Sequence, residues 1–260
     1  MLPSAVERYL GLFVFGAARS LPLVWLIPAF GGPDIPRQMR LVIALGLAGL
    51  CLPILSSQVP HGSTLLWLVL ALREILVGIA MGFVAACWFR AAETSGRLID
   101  AVSGYNASDT SLPVGKGGGG PFTALTLLLA VVVFLELGGI GHVTVALVRS
   151  YDAIPLFAPL RLGSAAHSMT GSAILASAKL ITATLGLCAP VWIALFLADV
   201  VLAFVGRSVS VLPVYSLGLP LKALLGVGIV LLGLGGIQAT MQGSLADFLA
   251  LMRAATEMGR

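Results

Sequence analysis

Long apolar runs, interrupted by single charges, limit what this chain can become more than any other feature. Residues 10–30, 41–55, 64–89, 122–148, 172–205 and 217–237 are almost wholly apolar. A helix that crosses a membrane needs about 20 such residues. The runs are continuous rather than alternating, which argues against a membrane barrel, whose strands face lipid and lumen in turn. In hydrocarbon a helix satisfies its own backbone groups, so helix is the expected state. Charged residues make up only 10% of the 260 and hydrophobic residues 58%, where a soluble domain carries about 25% charge. The length leaves no room for a sizeable water-soluble part. The expectation is an all-α membrane protein, one polytopic domain over residues 1–260.

The breaks between runs carry turn chemistry. Gly31-Gly32-Pro33-Asp34 marks a turn. Residues 90–120 read as a polar stretch ending in glycines, and residues 149–171 as a mixed loop holding Pro155 and Pro159. Residues 172–205 are too long for one simple span. Pro190 divides them, which predicts a helical hairpin or a kinked pair. Pro220 opens the run 217–237 near a helical first turn, and residues 245–252 form a short amphipathic end. Glu7 and Arg8 precede the first run and no small-residue cleavage site closes it, so it reads as a retained span rather than a signal peptide.

Charges inside the runs are the most informative residues. Arg73, Glu74, Glu136, Lys179 and Asp199 lie far from any evident loop. A charge at the bilayer centre costs roughly 2.5–3.5 kcal/mol on insertion scales. These side chains therefore pair, face a wet cavity, or lie against protein. A polar conduit or proton relay is one reading; structural pairing between helices and subunits is preferred. Adjacent Arg73 and Glu74 point about 100° apart on a helix, so each is expected to find its partner elsewhere. Gly78 with Gly82, and Ala44 with Ala48, are small pairs at helical spacing that let helix backbones approach closely.

Orientation does not follow from basic residues. With six crossings, Arg8, Arg149, Arg161, Arg253 and Arg260 fall on one side. Arg37, Arg40, Arg90, Arg97, Lys116 and Arg207 fall on the other, a near-even split. The net charge of +4 is scattered, which speaks against nucleic acid. Cys51, Cys87 and Cys188 lie in apolar stretches without paired spacing and read as small buried residues. The glycine run after Lys116 lacks the Ser/Thr and the preceding strand of a phosphate-binding loop; it reads as a linker, or as a movable closure between two apolar helices. His61, His142 and His167 are isolated, and no catalytic or metal-ligand spacing appears. No cofactor, metal or enzymatic activity is expected.

Several segments carry a resemblance. Pro28-Ala29-Phe30-Gly31-Gly32 continues through Ile35-Pro36 to Arg40. Arg73-Glu74-Ile75-Leu76-Val77-Gly78 is followed by Gly82-Phe83, Glu93 and Gly96-Arg97-Leu98-Ile99-Asp100. Then come Ser150-Tyr151-Asp152 with Ile154-Pro155-Leu156, and Pro190, Asp199, Arg207 and Gly218-Leu219-Pro220-Leu221-Lys222. In order and spacing, over residues 10–237, these resemble the FliR/SctT family, the flagellar and virulence type III export-gate subunits.

The resemblance implies a core subunit of the gate that conducts unfolded proteins across the bacterial inner membrane. It implies kinked helical hairpins that assemble with FliP/SctR-like and FliQ/SctS-like subunits, with an FlhB/SctU-like subunit nearby, into a helical export gate. Much of that assembly sits outside the ordinary bilayer plane, and its energy comes from an associated ATPase and the proton motive force. The family places a plug-like loop in the pore. Here the matching segment is 103–120, with Ser103, Gly104, Tyr105, Asn106, Ala107, Ser108, Asp109, Thr110, Ser111, Leu112 and Pro113 as plug residues. The family's Asp-Pro is split here into Asp109 and Pro113, and the glycine run departs from its pattern. Lys222 joins the intramembrane charges through the last motif. The rival expectation is a proton- or cation-coupled transporter of a small solute, using Glu136 or Asp199. The residues quoted do not separate a flagellar system from an injectisome.

Overall fold

The computed structural model describes residues 4–30, 35–55, 64–105, 119–156, 162–208 and 214–257. These residues form helices and no strand: α1 (Ser4–Leu26), a single 3-10 turn (Pro28–Phe30), α2 (Arg37–Leu55), α3 (Thr64–Ser103), α4 (Pro121–Glu136), α5 (Gly139–Ala153), α6 (Leu162–Ser208) and α7 (Val214–Glu257). Five helices are long and apolar enough to cross a membrane, or six spans if α4 and α5 count as one broken span. The chain packs as two compact units. One comprises Met1–Cys87, Phe134–Ala178 and Ala246–Arg260; the other comprises Trp88–Val133 and Lys179–Leu245.

In the first unit α1 lies between α2 and α3, and small residues set how close they come. Gly16 of α1 faces Ala48 and Leu55 of α2. Ser20 donates its hydroxyl to the Ala44 carbonyl at 2.9 Å, so the pair Ala44 and Ala48 does mark a close helix contact. On the other side of α1, a Cβ on Gly78 would collide with the Arg19 carbonyl. One on Gly82 would stand 3.1 Å from the Leu23 Cα. The G-x-x-x-G pair of α3 thus lets α1 lie directly on its backbone. Leu12, Phe15, Leu23, Cys51 and Leu55 fill the space between.

The second unit closes around the C-terminal half of α3. Trp88 donates its indole N–H to Ser244 of α7 at 3.0 Å, and its ring meets Phe89 edge-on. Cys188, Val191 and Leu195 of α6 are buried here. All three cysteines are free and buried, as expected of small apolar residues.

Four boundaries differ from the sequence reading. The stretch from residue 90 is not a loop: α3 continues to Ser103. Its polar residues keep the helix by pairing along it, Glu93 with Arg90 and with Arg97, each at 2.7 Å, at the i,i+3 and i,i+4 spacing that helices favour. Of the two alternatives for the run 172–205, the hairpin does not form; α6 is one 47-residue helix with Pro190 inside. Proline removes one helical hydrogen bond, but reversing a chain needs turn residues, and Cys188-Ala189-Pro190-Val191 supplies none besides the proline itself. The break comes in the run 122–148 instead, at Leu137 and Gly138. Gly138 adopts φ 67 and ψ 31, a left-handed conformation open chiefly to glycine. Finally, the run 217–237 and the short end 245–252 join as one helix, α7.

Candidate functional site

Of the charges in the apolar runs, Arg19, Arg73 and Glu74 form one cluster and Asp199 pairs with Lys222. In the first unit the centre is Arg19, fully enclosed in the middle of α1. Its Nε donates to Glu74 Oε2 at 2.6 Å, one terminal nitrogen to the Ser150 hydroxyl at 2.8 Å, and the other to the Ile154 carbonyl at 3.1 Å. The guanidinium lies 3.9 Å over the Tyr151 ring. Ser150 donates its own hydroxyl to the Leu147 carbonyl at 2.6 Å. Arg73 Nη2 reaches the second oxygen of Glu74 at 3.2 Å, and also the carbonyls of Pro155 at 2.6 Å and Leu156 at 3.0 Å.

Two guanidinium groups thus share one carboxylate. The remaining negative potential comes from the carbonyl end of α5, where the helix dipole points its negative pole. Both oxygens of Glu74 are engaged, so the cluster acts as a tie among α1, α3 and the end of α5. Removing one member of a buried pair costs about 3–5 kcal/mol, because the other charge is left stranded. The expectation that Arg73 and Glu74 find partners elsewhere holds. The expectation that they do not meet each other does not: arginine is long enough to curl back across the 100° between neighbouring helix positions.

In the second unit a buried carboxylate, Asp100, accepts the N–H groups of Phe122 and Thr123 at the start of α4. Lys222 of α7 meets Asp199 of α6, at 2.7 Å and 2.9 Å to its two oxygens. The Asp199 side chain is 44% exposed, and exposed Phe196, Leu197, Leu221 and Leu224 surround the pair in sequence. Lys179 is half-buried on α6, and Glu136 is exposed at the end of α4. Of the expected plug residues, Ser103, Gly104 and Tyr105 are described; Asn106 to Pro113 lie outside the described residues. Among the described residues no three His, Cys, Asp or Glu side chains come together as a metal site would need.

Sequence reasoning passed over Arg19, within the first apolar run. The rule that singled out Arg73 and Glu74 applies equally to it, since it is a lone charge ten residues into an apolar stretch. Asp100, Ser150 and Tyr151 entered only through the motifs around them. Those motifs have physical content: Arg73-Glu74 with Gly78 receives α1, and Ser150-Tyr151 with Ile154-Pro155-Leu156 receives both arginines.

A family model described as bacterial export proteins, family 1, matches residues 10–248. The flagellar biosynthetic protein FliR of Aquifex aeolicus is 26% identical over 245 residues, covering 93% of this chain and 92% of that one. The surface presentation of antigens protein SpaR of Shigella sonnei is 29% identical over 215 residues, covering 82% and 80%. The secretion system apparatus protein SsaT of Salmonella typhimurium is 25% identical over 224 residues, covering 85% of each.

Proposed function

Because the chain belongs to the bacterial export proteins, family 1, the FliR/SctT family, we propose that it is a core subunit of the export gate, forming with companion subunits part of the channel that carries unfolded proteins across the inner membrane. It is a subunit of a type III secretion or flagellar export apparatus and a multi-pass protein of the bacterial inner membrane. The family match over residues 10–248 carries the reading.

Helix length and cover support the companion subunits. The 47 residues of α6 extend about 70 Å at 1.5 Å per residue, more than twice a hydrocarbon core of about 30 Å. An apolar 18-residue window of Thr170–Phe204 is only 22% enclosed and one of Pro220–Met252 only 17%, against 50% for Tyr9–Leu26. Lipid covers apolar side chains only within its own thickness, so protein must cover the rest. The partners in this reading are FliP/SctR-like and FliQ/SctS-like subunits, with an FlhB/SctU-like subunit alongside. The subunit performs no catalysis of its own. The family match favours the gate subunit over the small-solute transporter, and Asp199 is paired with Lys222.

The segment from Ser103 to Pro113 is this subunit's share of the pore closure. Its support is the family resemblance and the contact at Asp100 between the end of α3 and the start of α4, the helices that flank it. Two measurements test the proposal. Purified gently with a tag, the chain should bring two smaller multi-pass proteins with it; a folded, monodisperse, lone chain would defeat the subunit reading. Deleting residues 106–113 should raise ion leak through the assembled complex, and conductance held at the closed level would remove the closure role.

A further inference from the structure

Asp100 is fully enclosed, three residues before α3 ends. Its Oδ1 accepts the Phe122 N–H at 3.0 Å; its Oδ2 accepts the Thr123 N–H at 2.9 Å and the Thr123 hydroxyl at 2.6 Å. These N–H groups belong to the first turn of α4, which no helix can satisfy internally. The cap of a helix normally comes from the residue just before it. Here that residue is Gly120, and the carboxylate arrives from another helix. Gly120 has no room for a side chain, because a Cβ there would stand 2.6 Å from the Asp100 Cγ.

The surroundings are built to the same closeness. One turn back on α3, a Cβ on Gly96 would stand 2.6 Å from the Thr123 Cα and 2.7 Å from the Phe122 carbonyl. The Tyr105 ring meets Phe122 edge-on with centroids 5.6 Å apart. Ser103 is buried against Gly226 of α7. A carboxylate at a helix N-terminus faces the positive end of the dipole, and hydrogen bonds to it are stronger than neutral ones.

We propose that Asp100 is a positioning residue that ties the start of α4 to the end of α3. The chain that leaves α3 at Gly104 therefore returns to the place it left, and both ends of the 104–120 connection share one fixed base. The tie itself stands on described contacts alone; its consequence for ion leak rests on the pore-closure reading above.

The test uses the full chain in its assembled complex, in membranes. Ser103→Cys supplies a reporter thiol beneath the base, where the native serine is 1% exposed; Cys51, Cys87 and Cys188 are buried and give a low background. Maleimide labelling should be slow with Asp100 intact. Asp100→Ala should speed it about tenfold or more, the least expected from losing bonds to a charged group. Thr123→Val, which removes only one of the three bonds to the carboxylate, should speed it by less than Asp100→Ala does. Ion leak per assembled complex should rise in Asp100→Ala toward that of the 106–113 deletion. Asp100→Asn, nearly the same shape, should move both readings in the same direction by less, and it serves if the alanine variant fails to assemble. Unchanged labelling in a variant that assembles normally overturns the proposal. Faster labelling with leak still at the closed level, in a complex whose 106–113 deletion leaks, upholds the tie and overturns its consequence for ion leak. If that deletion does not leak, the pore-closure reading falls instead, and labelling alone decides whether Asp100 is the tie.

Discussion

Arg19 and Glu74, 55 positions apart, meet at 2.6 Å with both side chains fully enclosed. Neither charge could stay in the apolar interior without the other, and Arg73 joins them from the adjacent position. The contact fixes α1 to α3 at the level where Gly78 lets the backbones touch.

Glu74→Gln and Arg19→Met should each destabilise the fold by about 3–5 kcal/mol. The double variant should lose less than the sum of the two, because it leaves one charge fewer stranded. Thermal unfolding of the solubilised complex in a double-mutant cycle reads this. Strict additivity would show that the pair is not coupled.

Gly78→Ala should destabilise by about 1–3 kcal/mol, the usual cost of forcing atoms into a filled contact. Gly243→Ala, inside α7, is the control, since nothing lies within 4 Å of a Cβ there, and it should be neutral or stabilising by up to about 1 kcal/mol. Protease resistance of the two variants would separate them; equal resistance would contradict the close approach of α1 and α3.

Gly138→Ala should cost about 1–2 kcal/mol, because a left-handed backbone crowds a Cβ against the following carbonyl. Gly138→Asn should cost less, asparagine being the residue that next best tolerates this conformation. Gly141→Ala, three positions on in open space, should leave stability unchanged. Complex yield at matched expression measures all three.

Lys222→Met should strand Asp199 on an apolar face, with a cost of up to roughly 2.5–3.5 kcal/mol if lipid covers that face. Exchanging the two, Asp199→Lys with Lys222→Asp, should recover most of the loss. Yield and secretion are the readouts. A swapped chain no better than the single variant would mean that each residue acts through its own neighbours.

The pattern of the chain reached far. Continuous apolar runs and scarce charge determined helix, membrane and an approximate count of spans, because hydropathy and helix-forming tendency are properties of neighbouring residues. The small pairs at 44 and 48 and at 78 and 82 were legible for the same reason. Only the folded chain decided which charges meet. The partners of Arg19 lie on α3 and α5, and those of Asp100 lie beyond a long connection. No spacing rule links residues so far apart, and a side chain as long as arginine reaches in directions its helix position does not dictate. Helix breaks were likewise settled by packing and backbone: the chain runs on through Pro190, which loses a single bond, and stops at Gly138, where φ turns positive.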